Sequence, residues 1–211
     1  MLMIKMVDKS CLEFLDALAS SSPTPGGGGG VGMGGAMAMA LTNMVCNLTI
    51  GKKKYAEVEK EIKALLKEGL ELQEKLLSVV AADAEVFQPL SEAYALPNAT
   101  DEEKAYKKAV LSERSKVACS VPLQGARWAV RGLEITKRVG EIGSKLVISD
   151  AGCGAAFMLA ALTSARFNVM INLGAITDEA YVASAHAEIN ELLHKGEKLA
   201  AETVEIVENR M

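Results

Sequence analysis

From Ala17 to Gly51 the chain carries no charged side chain. That gap constrains the fold more than any other feature. It opens with Ser20-Ser21-Ser22, Pro23 and Pro25, residues that stop a helix and order a loop. From Gly28 to Ile50 the stretch is small, apolar and free of Pro. A helix that is apolar all round belongs inside a protein or a membrane. The length just reaches that of a span, but Thr42, Asn43, Asn47 and Thr49 interrupt it and its glycines lower its hydrophobicity. The expectation is therefore a buried central helix and no membrane association. The helical cost of each Gly, about 1 kcal/mol, must then be offset by close packing.

Gly30, Gly32 and Gly35 spell G-x-G-x-x-G. A dinucleotide fold needs a strand before the first Gly and an acid about 20 residues later. Here Ser-Ser-Ser-Pro-Thr-Pro precedes and Lys52-Lys53-Lys54 follows. A P-loop would need a closing GK[ST], which is absent. What survives is a Gly-rich helix N-terminus, with free N–H groups and a positive dipole end that a ligand can approach closely.

The rest of the chain reads as helices. Residues 5 to 19 give a short amphipathic first helix. A long helix follows Lys52–Lys54 and runs to about Tyr94. Its seam is Val58, Ile62, Leu65, Gly69, Leu72, Leu76, Val79, Asp83 and Val86, in steps of four and three. Leu96 to Thr100 break the chain, and Thr100 is a natural N-cap for Asp101-Glu102-Glu103. A helix follows to about Ala118, and Pro122 kinks it or begins another running to about Val139. Gly140, Gly143 and Ser144 mark a loop. Ser149 and Asp150 open a second small-residue helix, and a last helix runs from about Asp178 to the end. No strand pattern and no repeat is evident. Only 4% of residues are aromatic while half are apolar, which suits closely packed helices better than a sandwich. The chain is expected to be all-α, a single domain over 1-211, built as an elongated bundle of long antiparallel helices.

A net charge of −4 disfavours a general nucleic-acid partner. Cys11, Cys46, Cys119 and Cys153 form no CxxC pair and read as reduced thiols of a cytoplasmic protein. No signal peptide is evident at the N-terminus.

FLDALASSSPTPGGGGG, NLTIGKKKY, DAEVF, VPL, SDAGCGAA and FNVMINL occur in order along nearly the whole chain. Together they resemble formiminotetrahydrofolate cyclodeaminase and the related methenyltetrahydrofolate cyclohydrolase. The resemblance implies an all-helical homodimer acting on a tetrahydrofolate derivative, with no tightly bound cofactor and no metal. The family usually has Ser where Gly29 stands and Asn near Ser144.

The cyclodeaminase reaction closes a ring from N10 onto the formimino carbon on N5 and releases ammonia. The cyclohydrolase reaction adds water to the same carbon to give 10-formyltetrahydrofolate. Either needs a positioned proton donor or acceptor. Asp83 is the first candidate, because a carboxylate on a dry seam is desolvated. Asp150 and Lys53 are further catalytic candidates; for Asp150 a helix cap is the plainer role. Pro25, Gly26, Gly27 and Gly28 offer backbone to the substrate. Lys52 and Lys54 suit the glutamate tail, since three lysines at a helix start oppose the dipole. Asn168 and Asn172, four apart, suit a pterin edge or a helix-to-helix hydrogen bond equally. Arg127 and Arg131 read as salt-bridge formers. His186 and His194, eight apart, and Cys153 are not expected to bind metal or attack substrate. The cyclodeaminase is placed first, the cyclohydrolase beside it, and a non-catalytic folate-binding or scaffold dimer stands as the reading of another class.

Overall fold

The computed structural model describes residues 6–211. Six α-helices account for most of them: α1 Cys11–Leu18, α2 Gly27–Asn47, α3 Glu59–Tyr94, α4 Asp101–Ile142, α5 Ile148–Leu173 and α6 Glu179–Arg210. No strand occurs among the described residues. At about 1.5 Å per residue α2 is about 30 Å long, while α3 and α4 exceed 50 Å.

The uncharged helix α2 is central. Val31, Ala38, Met39, Val45 and Cys46 along it are fully buried. Neighbours α3 and α5 both run antiparallel to it. Along α3, Asp83, Leu76 and Gly69 face Gly28, Gly35 and Asn43 in turn; along α5, Asn168, Ala161 and Gly154 face Gly27, Gly34 and Thr42. Helix α4 runs parallel to α2 beneath it, and α6 closes the bundle across α4 and α5. The glycines explain the close approach. A Cβ on Gly32 would lie 2.8 Å from the Leu76 carbonyl oxygen, a backbone atom that cannot yield. Two buried hydroxyls pair across the interface: Thr42 and Thr136 share a 2.8 Å hydrogen bond between α2 and α4.

The expected boundaries hold in part. Thr100 caps α4 in a reciprocal capping box with Glu103. Helix α4 continues unbroken through Pro122, and α3 through Pro89, because each lies in a helix whose packing outweighs one lost backbone bond. The first helix is shorter than expected. It begins at Cys11, capped by Ser10, while Val7 lies in a separate 3-10 turn, Met6–Asp8, and residue 5 falls outside the described residues. Lys53 and Lys54 belong to a 3-10 segment, Lys53–Val58, with α3 starting only at Glu59. The lysines therefore do not oppose the α3 dipole at its first turn. Helix α5 starts at Ile148 with Val147 as N-cap, so Ser149 and Asp150 lie inside its first turn rather than capping it.

Arginines on α4 tie it to its neighbours. Arg131 and Arg138 bind Glu68 and Glu61 of α3, and Arg127 binds Glu188 of α6, as expected for Arg127 and Arg131.

Candidate active site

The N-terminus of α2 meets α3 and α5 at one end of the bundle. Gly26 caps α2 without a side-chain hydrogen bond, so the first N–H groups need partners from elsewhere. Asp83 supplies one: its carboxylate accepts a hydrogen bond from the Gly29 N–H. It lies so close to Gly28 that any Cβ there would overlap it. Burial raises the Asp83 pKa and outweighs the lowering by the Gly29 N–H. The carboxyl thus holds its proton more tightly than an exposed one while aimed at the positive end of a helix.

Asn168 of α5 stands on the other side of Gly27, whose Cβ would lie 3.1 Å from both its amide atoms. Its Nδ2 donates to the Ser164 carbonyl at 2.9 Å, and Asn172 Nδ2 donates to the Asn168 carbonyl at 2.8 Å. These bonds run back along α5 and not to another helix. The pattern leaves the Oδ1 atoms as acceptors. Pro25 is buried, and its Cβ would lie 2.9 Å from a Cβ on Gly29. A Ser at position 29 would crowd that ring, so Gly fits here. Gly30 faces open space. A cleft of about 410 Å³ runs alongside, lined by Pro23, Thr24, Ala84, Phe87 and Gln88 among others.

The remaining candidates lie at the other end of α2. Lys52 Nζ donates to Ser144 Oγ at 2.9 Å. Lys54 sits 5.8 Å from the Tyr55 ring centroid. The Tyr55 hydroxyl accepts the Lys145 N–H at 2.9 Å. That bond lowers the Tyr55 pKa, aided by Ser144 and the charges of Lys54 and Arg210. Asp150 is half-buried in the first turn of α5. Within one chain the structure therefore brings Asp83, Gly27, Gly28 and Asn168 together, and separates them from Lys52, Lys53, Lys54 and Asp150 by the length of α2. Tyr55 and Ser144 were missed as partners of the lysine cluster. Tyr55 was signalled only by its adjacency to Lys54, and Ser144, which reaches Lys52 across 92 positions, only as the place near which the family usually has Asn. Among the described residues no group of three or more His, Cys, Asp or Glu could hold a metal ion.

Residues 10–191 match the family described as Formiminotransferase-cyclodeaminase, and the chain belongs to that family. Among its relatives, the methenyltetrahydrofolate cyclohydrolase of Methylorubrum extorquens is 42% identical over 198 residues, covering 94% of this chain and 95% of that protein. The formimidoyltransferase-cyclodeaminase of Sus scrofa is 29% identical over 170 residues, and the match spans 81% of this chain but 31% of that longer protein. The solved structure of formiminotetrahydrofolate cyclodeaminase from Thermotoga maritima superposes with a TM-score of 0.86 at 30% identity, covering 97% of this chain and 98% of that one.

Proposed function

We propose that this protein is a methenyltetrahydrofolate cyclohydrolase, working as a homodimer in the cytoplasm. The observation that carries the reading is the Asp83 carboxyl, raised in pKa by burial and held against the N-terminus of α2. The choice of hydrolysis over deamination follows the 42% identity to a named cyclohydrolase over nearly the whole of both chains. From sequence alone the cyclodeaminase is placed first with the cyclohydrolase close behind, because the two reactions share a carbon, a ring and a geometry. Family-level similarity supports folate as substrate for either.

In the proposed reaction the ionised Asp83 accepts a proton from water as the water oxygen bonds to the methenyl carbon. The protonated carboxyl then donates to N5 as the C–N5 bond breaks. The hydroxyl proton of the tetrahedral centre leaves to solvent, so methenyltetrahydrofolate and water give 10-formyltetrahydrofolate and one proton. A carboxyl whose pKa is raised by burial suits both halves, since it must both gain and lose a proton. Asn168 is proposed to hold the ring, and the Gly27–Gly28 backbone to let it come close.

The cyclodeaminase is the second reading, favoured by the full-length match to the Thermotoga maritima structure. There Asp83 would protonate the departing ammonia. Both are tested by the methenyl chromophore. Accelerated loss of absorbance with 5,10-methenyltetrahydrofolate supports the hydrolase. Appearance of absorbance with ammonia from 5-formiminotetrahydrofolate supports the deaminase. Neither change would refute both.

A further inference from the structure

Helix α2 fills a slot between α3, α4 and α5 and is the shortest of the four. Gly34 and Gly27 meet Ala161 and Asn168 of α5, and Val31 meets Gly125 of α4. The slot goes on where α2 stops. Past the level of Gly27, α3 continues to Tyr94 and α5 to Leu173, while α4 has its start well beyond, at Asp101. Leu111 and Lys104 extend, in steps of seven, the stripe of α4 that carries Gly125. Asn172 extends that of Asn168 by one turn of α5.

At that extension lies a pocket of about 370 Å³, lined by Asn98, Lys104, Lys107, Lys108, Leu111 and Thr177 among others, and by no carboxylate. Its lysines are only partly paired. Lys107 Nζ donates to the Tyr94 and Leu96 carbonyls at 2.7 and 2.8 Å, neutral partners at the end of α3. Lys104 pairs with Asp101 at 3.0 Å, a side chain that is 99% exposed. Lys108 has no carboxylate partner among the described residues. The flanking acids are engaged elsewhere: Glu103 accepts the Ala99 and Thr100 N–H groups, and Asp178 pairs with Lys116. The cleft at Pro23 and Phe87 is opposite in sign, since Glu85 and Glu92 line it.

We propose that this lysine pocket is the subsite for the carboxylates of the substrate's glutamate tail, supplied by the same chain that supplies Asp83. The proposal rests on the folate reading and deepens it. A ring held between Asp83 and Asn168 sits where α2 ends, so its tail continues the line of α2 along the open slot. At 1.5 Å per residue, Gly174 lies about 9 Å along α5 from Asn168, and Lys108 about 20 Å along the bundle from the level of Gly27. The flexible four-carbon stems of the lysines reach back over part of that distance. Each further γ-linked glutamate lengthens the tail by more than the ~3.6 Å of an ordinary extended residue. Lys52 and Lys54 of the same chain lie at the far end of α2, in the direction opposite to this slot.

Two experiments test the proposal. Lys104 and Lys108 are exposed on α4, so Lys104→Gln/Lys108→Gln leaves the packing intact. Its kinetics are compared on 5,10-methenyltetrahydrofolate and on the corresponding pteroate, which lacks the glutamate. KM for the folate should rise roughly three- to tenfold, as two partly exposed charge pairs allow, with kcat unchanged. The pteroate should show no change, the folate effect should shrink at high salt, and Lys104→Arg/Lys108→Arg should keep the wild-type KM. An equal change for both compounds, or none for either, overturns the proposal. The second experiment needs no turnover: γ-linked pentaglutamate without a pterin is offered to both proteins in equilibrium dialysis. Binding to the wild type and not to the Gln variant supports the subsite; binding to neither, or equally to both, overturns it. Inorganic phosphate that displaces the peptide while folate and pteroate kinetics change alike marks a free-anion site and overturns the tail assignment. If the wild type consumes neither folate yet alone binds pentaglutamate, the chemistry has failed and the acidic-tail subsite stands.

Discussion

Asp83 is a conflict between two forces on one carboxyl. Burial favours the neutral form; the Gly29 N–H and the α2 dipole favour the anion. Burial prevails, so the folded pKa lies above that of the unfolded chain. The folded state then binds more protons than the unfolded one between those two values, and stability falls as pH rises through that window. Asp83→Asn should abolish this slope and hold or raise the melting temperature at neutral pH, as read by thermal unfolding across pH. The same variant should lose about 10²- to 10⁴-fold in turnover, the usual contribution of acid–base catalysis, with substrate binding retained in an equilibrium assay. The residue was legible because a lone acid interrupted an apolar seam. Its partner was not: that Gly28 and Gly29 meet it depends on the antiparallel register of α2 and α3.

At the scale of elements, the glycines separate into those that fill contacts and those that only weaken a helix. Gly32 sits against the Leu76 backbone, so Gly32→Ala must push α2 and α3 apart; a loss of about 1–3 kcal/mol is expected by denaturant unfolding. Gly140 of α4 has its nearest neighbour, Thr203 Cγ2, at 3.7 Å from an added Cβ. Gly140→Ala should stabilise by up to about 1 kcal/mol in the same measurement through helix propensity. The seam of α3 and the cap at Thr100 were readable locally. The continuation of α4 through Pro122 was not, because packing against α2, α3, α5 and α6 keeps the helix continuous where local rules allow a break.

Across the whole molecule, α4 is fastened to α3 and α6 by arginine pairs that remain partly exposed. Arg131 also contacts Glu134, which pairs with Lys195 of α6. Arg131→Met should cost no more than about 1 kcal/mol, and less at high salt, by unfolding at two ionic strengths. The core, not these pairs, sets the fold. Composition and periodicity determined that core: a charge-free stretch has to be buried, and long seams at helical spacing have to face it. The sequence likewise determined the family, through six short motifs in fixed order. Only the tertiary structure decided which motifs share an end of the bundle. Antiparallel packing carries Asp83 and Asn168, 85 positions apart in sequence, to either side of Gly27 and Gly28. The rigid span of α2 meanwhile keeps Lys52 and Asp150 about 30 Å away, because a helix fixes the distance between its ends whatever chemistry lies at them.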